Sequence, residues 1–293
     1  MKILLLGANG QLGSDLVKVF KTDAPCHVLS SLTHAELEIT AHDRVRAVLQ
    51  DLRPDVVINT AAYHKVDEVE QNPDRAFAVN ATAVWNLAKA CREINATLAH
   101  ISTDYVFGQD LARQTPYTEN EKPAPLNVYG VSKAAGELLL QSVCPRHYIV
   151  RTSGLYGVKG ASAKGGNFVE TMLRLAKGGK AIKVVDDQRL TPTFTVDLAK
   201  ALIALIASER YGLYHATNSG DCTWFEFAQR IFQLAGLSPS LKATVTAEFP
   251  TPAVRPSYSV LAKGAWTAAG FSILRPWPDA LQEYLTIRNE TTN

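Results

Sequence analysis

The 293-residue sequence is short of sulfur, short of net charge and free of long apolar runs. Its four cysteines, Cys26, Cys91, Cys144 and Cys222, lie far apart with no C-x-x-C pair, so neither a disulfide framework nor a thiolate zinc site is expected. Reduced thiols of this kind point to the cytoplasm. Seven histidines show no H-x-x-x-H spacing, which argues against a helical zinc centre, and no metal ligand is assigned from spacing. Lys and Arg total 30 against 28 Asp and Glu, and a balance of +2 excludes the basic footprint of a nucleic-acid binder. No stretch approaches the ~20 apolar residues of a membrane-spanning helix. Lys2 followed by Ile3 to Leu6 imitates the start of a secretion signal, but Gly7 ends the run too early for one. Repeats and low-complexity tracts are also missing. What remains is an ordinary globular complement, 46% hydrophobic and 20% charged, in enough chain for one large or two small domains.

Over the first 150 residues two patterns alternate. Short β-rich runs fall at residues 3–6, 56–59, 98–102 and 148–151, with another near 26–29. Helical spacing fills 12–20, 42–52, 73–94 and 132–140. Strict alternation of this kind predicts an α/β fold, a Rossmann-type doubly wound parallel sheet, because parallel strands require crossover connections. Beyond Arg151 the rhythm loosens into a basic, glycine-rich loop at 157–166, a helix over 168–177, strands at 182–185 and 213–215, and a helix over 196–207. The tail holds three of the four tryptophans. The expected division is a dinucleotide-binding domain over 1–150, rejoined by parts of 181–216, and a smaller, less regular C-terminal substrate lobe over 151–293.

Gly7-Ala8-Asn9-Gly10-Gln11-Leu12-Gly13 follows the first strand and opens the first helix. Glycines at this spacing permit a tight turn, close approach of the backbone to a pyrophosphate, and close helix–strand packing. The helix start then offers unpaired N–H groups and a positive dipole end. NAD or NADP is therefore the expected ligand. The end of the second strand usually distinguishes the two, by an acid or a base near the adenosine ribose. Here it runs into Ser30-Ser31-Leu32-Thr33-His34, which carries neither signature, so both cofactors stay open.

Tyr129 and Lys133 lie four residues apart, on one face of a helix. The strand before them ends in Ser102-Thr103-Asp104, at the carboxyl edge where open α/β sheets bind ligands. This set suits reduction of a ketone. Hydride addition leaves an alkoxide to be protonated; a phenol is a usable acid, and a neighbouring ammonium favours its phenolate and lowers its pKa. A Thr103 hydroxyl would polarise the carbonyl oxygen.

These residues resemble the extended short-chain dehydrogenase/reductase superfamily. Longer strings resemble the dTDP-4-dehydrorhamnose reductase family within it. They are Ala61-Ala62-Tyr63-His64-Lys65-Val66-Asp67, Ser102-Thr103-Asp104-Tyr105-Val106-Phe107, Asn127-Val128-Tyr129-Gly130-Val131-Ser132-Lys133, Asp187-Gln188-x-x-x-Pro192-Thr193, and Arg255-Pro256-x-x-Ser259-x-Leu261. The likeness implies an NADPH- or NADH-dependent oxidoreductase acting on a dTDP-linked keto-sugar. By resemblance, Tyr129 is the proton donor, with Lys133 holding the nicotinamide ribose and Thr103 and Asp104 meeting the sugar. Gly7, Gly10, Gln11, Leu12 and Gly13 would contact the pyrophosphate region, Glu38 and Ile39 the adenine, and Ala61, Ala62 and Tyr63 the rest of the cofactor. Arg255 would approach the diphosphate, and Lys159 and Lys164 of the glycine-rich loop are further candidates for it. The helix over 73–94 sits where the superfamily often builds a homodimer, although its alternating alanine and apolar residues equally suit a face turned to the sheet.

Sugar-nucleotide dehydratases of the superfamily place Thr-Asp-Glu where this chain has Thr103-Asp104-Tyr105, so the carboxylate base of dehydration is replaced by a phenol. Two features depart from the reductase pattern. Gly154 stands where a tryptophan usually follows the Arg-Thr-Ser string, and the loop after it is long. They leave room for a reductase or epimerase of another nucleotide-linked keto-sugar, or for a non-catalytic dinucleotide-binding regulatory subunit. Some family members carry a dimer-bridging Mg2+ held by acids. Asp15 falls at one such position, but its partners are not identifiable, and a surface helix acid is the preferred reading. Asp67, Glu68 and Glu70 are read as a solvated acidic face.

Overall fold

The computed structural model describes residues 1–159 and 166–292. Lys164 and most of the glycine-rich loop therefore lie outside the described residues. In chain order the first part runs β1 (Lys2–Leu6), α1 (Gln11–Asp23), β2 (Val28–Leu32), α2 (His42–Leu52), β3 (Val56–Asn59), α3 (Val66–Glu70), α4 (Pro73–Phe77), α5 (Ala83–Glu93), β4 (Thr97–Thr103), α6 (Val128–Val143) and β5 (His147–Thr152). The remainder runs β6 (Leu155–Tyr156), α7 (Phe168–Ala176), β7 (Ile182–Val185), β8 (Arg189–Leu190), β9 (Thr193–Phe194), α8 (Thr195–Ile206), β10 (Gly212–His215), β11 (Cys222–Thr223), α9 (Trp224–Leu234), β12 (Leu241–Thr244), α10 (Gly264–Ala268) and α11 (Trp277–Thr292).

Six strands form one parallel sheet in the order β10-β5-β4-β3-β1-β2. The order reverses between β1 and β3, which opens a crevice at their carboxyl ends. β1 shows how the sequence produces two layers of packing. Ile3 and Leu5 enter one apolar core with Leu16 of α1 and Leu198 and Leu202 of α8, while Leu4 and Leu6 enter the other with Leu49 of α2 and Leu87 of α5. Alternate side chains of a strand point to opposite faces, so a run apolar throughout must be covered on both. β10 and α8 come from beyond residue 151 yet join this sheet and the α1 layer. The rest of the C-terminal part is built from two-stranded ribbons, β6–β9 and β7–β12 parallel and β8–β11 antiparallel.

The second strand begins two residues later than the pattern suggested. A turn in which His27 N–H donates to the Ala24 carbonyl occupies the start of the expected run, and β2 reaches Leu32. The predicted single helix over 73–94 is helical but interrupted: a π-helical turn spans Ala78–Thr82 between α4 and α5. Its extra residue turns buried Asn80 inward, where the amide bonds the Tyr63 backbone N–H and C=O at 2.9 Å each and the Ser132 hydroxyl at 3.0 Å. Gly136 of α6 touches the same turn so closely that a Cβ would lie 2.1 Å from the Asn80 carbonyl. Single π turns in α-helices frequently mark functional ground.

Candidate active site

The glycine turn is shaped by contacts that admit no side chain. Gly7 has φ +84°, and a Cβ there would meet the Thr60 hydroxyl at 2.7 Å. A Cβ on Gly13 would lie 2.2 Å from the Gly7 carbonyl oxygen. The N–H groups of Gly7 and Ala8 donate to Leu32, at 3.0 and 3.1 Å, tying the turn to the end of β2. Helix α1 is capped by Gly10, which has no side chain to bond its first turn, so the first-turn N–H groups remain for a ligand. Gly10, Gln11, Leu12 and Gly13 line a cleft of about 410 Å³, which reaches across to Ala62, Thr103, Asp104, Tyr129 and Lys133. The backbone cradle and the free helix start fit a dinucleotide.

Three predicted residues flank this cleft without lining it. Gly7 makes the turn, Ala61 N–H donates to Asn59 Oδ1 at 3.1 Å, and Tyr63 is held by Asn80. Glu38 forms an ion pair with His34, and Ile39 is buried in the core. Arg255 lies in a neighbouring groove of about 530 Å³ with Asp67, Phe168, Lys180 and Lys183. It grips Asp67 through two nitrogens, at 3.2 and 2.8 Å. Asp67 is therefore not part of a purely solvated face, and Glu70 accepts the Val128 N–H at 3.0 Å, setting the start of α6. Lys159 is exposed and borders a different groove, beside Asp15 and Lys18.

Tyr129 and Lys133 are brought to the cleft by α6, whose N-cap Asn127 accepts the Gly130 N–H at 2.8 Å. A Cβ on Gly130 would lie 2.1 Å from the Tyr105 carbonyl, so α6 presses directly onto the turn after β4. The half-buried Tyr129 phenol faces the Thr103 hydroxyl across the cleft that both line. Burial raises its pKa well above the ordinary phenol value, the Asp104 carboxylate adds to the rise, and the Thr103 hydroxyl opposes it. This corrects the expectation of a phenol acidified by Lys133. The Lys133 ammonium instead donates to the Ile101 carbonyl at 2.7 Å and sits 3.0 Å from His100 Nε2. Lys133 is fully buried, and desolvation brings it down to about 8 against the opposing charge of Glu137.

Behind the cleft lies a polar core that sequence reasoning missed. Glu137 and Arg151 are each 2% exposed and paired through Arg151 Nη2 at 2.6 Å, and the Ser102 hydroxyl donates to Glu137 Oε1. His100, also buried, contacts Asn59 Nδ2 through Nδ1 at 3.1 Å, and burial and Lys133 together hold it neutral. One signal was readable: Glu137 follows Lys133 by four residues, on the same helix face. Asp104 is buried as well. Desolvation lifts its carboxyl to about 6, opposed by hydrogen bonds from Ser259, Ser153 (2.8 Å) and Thr103 (3.1 Å).

Asp15 also departs from its expected place. It is buried, accepts a hydrogen bond from the Thr195 hydroxyl, and has its pKa raised by desolvation. Among the described residues no group of three His, Cys, Asp or Glu is placed to hold a metal. No helix among them is long and apolar enough to cross a membrane. The C-terminal side of the cleft consists of Ser153, Gly154, Leu155, Leu190 and Trp224, the last of which sequence reasoning passed over. The capping-box pattern Thr223-x-x-Glu226 was the available clue to a helix starting there.

A parallel sheet with a glycine turn at its reversal point, and a Tyr-x-x-x-Lys pair over the end of β4, defines a nucleotide-binding α/β protein of the short-chain dehydrogenase/reductase type. Residues 1–289 match the family described as RmlD substrate binding domain, and the chain belongs to that family. It is 41% identical over 284 residues to the dTDP-4-dehydrorhamnose reductase of Mycolicibacterium smegmatis, covering 96% of this chain and 84% of that one. A crystal structure of a dTDP-4-dehydrorhamnose reductase from Clostridium acetobutylicum is similar with a TM-score of 0.92 at 40% identity, covering 99% of this chain and 100% of that one. Another, from Bacillus anthracis in complex with NADP, gives 0.91 at 38% identity, with 97% and 98% covered.

Proposed function

We propose that this chain reduces the C4 ketone of dTDP-4-dehydro-L-rhamnose to dTDP-L-rhamnose, with NADPH or NADH as reductant. The observation that carries the reading is the single cleft that gathers the glycine turn with Thr103, Tyr129 and Lys133. The names of the relatives at about 40% identity supply the substrate. When bound, the dihydronicotinamide supplies a hydride to the carbonyl carbon. The chain supplies the rest. Gly10 to Gly13 would hold the pyrophosphate at the start of α1, and Lys133 would hold the nicotinamide ribose. Thr103 orients the carbonyl oxygen, and Tyr129 gives its phenolic proton to that oxygen as the C–H bond forms. A phenol whose pKa is raised by burial remains protonated at neutral pH, as an acid in waiting must. Asp104, its carboxyl lifted to about 6 by burial, would bond a sugar hydroxyl beside Thr103.

Residues 1–150, with β10 and α8, would then serve the cofactor, and 151–293 the sugar nucleotide, with Arg255 on the diphosphate. Phe77, Val131 and Leu138 are exposed on α4 and α6, which supports a homodimer through that face. Four free cysteines support the cytoplasm as its compartment. The test is oxidation of NADPH on addition of dTDP-4-dehydro-L-rhamnose, with the product identified by NMR. Tyr129→Phe should lower kcat by ~100-fold or more while NADPH binding persists. Near-normal kcat in that variant, or reduction only of UDP- or GDP-linked sugars, would overturn the proposal.

A further inference from the structure

Trp224 stands where the two cavities meet. It lines both the cleft that holds Thr103 and Tyr129 and the groove that holds Arg255. Its backbone is fixed by a capping box at the start of α9: Thr223 N–H donates to Glu226 at 2.8 Å, and Glu226 N–H donates to the Thr223 hydroxyl at 3.1 Å. The indole packs on Phe168 at 4.5 Å between ring centroids and on Phe227 at 6.3 Å. Phe227 is fully buried, but Trp224 is only half-buried. Position 154, which lines the same cleft, is closed to a side chain. Gly154 has φ +55°, and a Cβ there would lie 2.9 Å from Leu190 Cδ1 and 3.1 Å from the Pro192 Cα.

We propose that Trp224 is the specificity-determining residue for the sugar, its indole carrying the C–H face of the pyranose at the boundary between cleft and groove. The inference rests on the proposed reaction. A pyranose has a face of C–H bonds and a rim of hydroxyls, and a flat ring with a negative π face accepts the former without competing for the latter. A plate braced by two phenylalanines also fixes the tilt of the sugar, and with it the approach of the carbonyl oxygen to Tyr129. Because the nucleotide and the sugar would lie on either side of this ring, their affinities should respond separately to its removal.

The test compares Trp224→Ala, Trp224→Leu and Trp224→Phe in the full chain. KM and kcat are measured for the dTDP-keto-sugar, and direct binding for dTDP alone and for NADPH. Trp224→Ala should raise KM for the keto-sugar by ~10-fold or more while dTDP and NADPH affinities stay within about twofold. Trp224→Phe should restore most of the loss. Trp224→Leu keeps an apolar body against Phe168 without a flat face; it should show the same rise in KM, and it decides the matter if the alanine variant fails to fold. An unchanged KM in the leucine variant overturns the proposal. A parallel loss of dTDP affinity also overturns it, since the ring would then serve the nucleotide. Wild-type protein inert toward the keto-sugar yet binding dTDP and NADPH would overturn the reaction and this inference together, a result separable from any variant's behaviour.

Discussion

The two sides of the cleft are held in opposite ways. On the sheet side, Lys133, Asp104, His100 and the Glu137–Arg151 pair are buried polar groups, fixed by hydrogen bonds in a medium of low dielectric. On the C-terminal side, Trp224, Phe168 and Phe227 meet through ring packing, and the charged contacts near them, Arg255 to Asp67 and Arg189 to Asp221 and Glu226, are partly open to water. The difference separates two jobs. Groups that hold or move protons need an environment that shifts their pKa values, and burial supplies it. A surface that recognises shape needs rigid apolar area, and gains little from buried charge. Substitutions on the sheet side should therefore be costly and pH-dependent, and those on the other side milder and pH-independent.

The largest effect should come from Glu137→Ala. It leaves the Arg151 guanidinium without its carboxylate in the core, which costs about 3–5 kcal/mol, measurable by urea unfolding. A loss below about 1 kcal/mol would break the contrast between the two sides. Next come the titrating groups. Lys133 releases its proton at about 8 in the folded chain but near the ordinary lysine value when unfolded. Between those values the unfolded state holds more protons, so this group makes stability rise with pH, by at most about 3 kcal/mol. Lys133→Met should abolish that rise in thermal scans, together with turnover at every pH. Asp104 behaves in the opposite sense. Its folded carboxyl is protonated up to about 6, while the unfolded one ionises near 4, so its contribution to stability falls as pH climbs through that window. Asp104→Asn should flatten the slope between pH 4 and 6; a slope equal to wild type would show that the carboxyl is not the group responsible. The smallest effect should be that of Asp67→Asn. With the Asp67 side chain 42% exposed, the pair contributes about 1 kcal/mol or less, and raised salt should erase it.

How far the sequence could be read follows the same division. Strands β1, β3, β4 and β5 and helices α1 and α2 were legible because each is a local run of apolar residues with its own period. The glycine turn between β1 and α1, Thr103 at the end of β4, and the Tyr129–Lys133 pair at the start of α6 were legible because each is marked by a short local pattern or by its place at a strand end. Asn80 was not, because the π turn that aims it answers to Gly136 on another helix. Asp15 was misplaced for a related reason: its helix position is ordinary, and α8, arriving from 180 residues away, sets Thr195 against it. Trp224 could be placed at a helix start but not at a cleft, since α7 and the β8–β11 ribbon carry it there.

By itself, then, the sequence determined a parallel α/β sheet, a dinucleotide turn at the end of β1 and a Tyr-x-x-x-Lys pair suited to ketone reduction. Those features arise from contacts between residues close in the chain, where periodicity and spacing act directly. The tertiary structure alone decided the protonation environment of Lys133 and Asp104, the pairing of Arg255 with Asp67, and the position of Trp224 between two cavities. Each of these depends on desolvation or packing by segments distant in sequence, and burial is a property of the assembled fold, not of any local pattern.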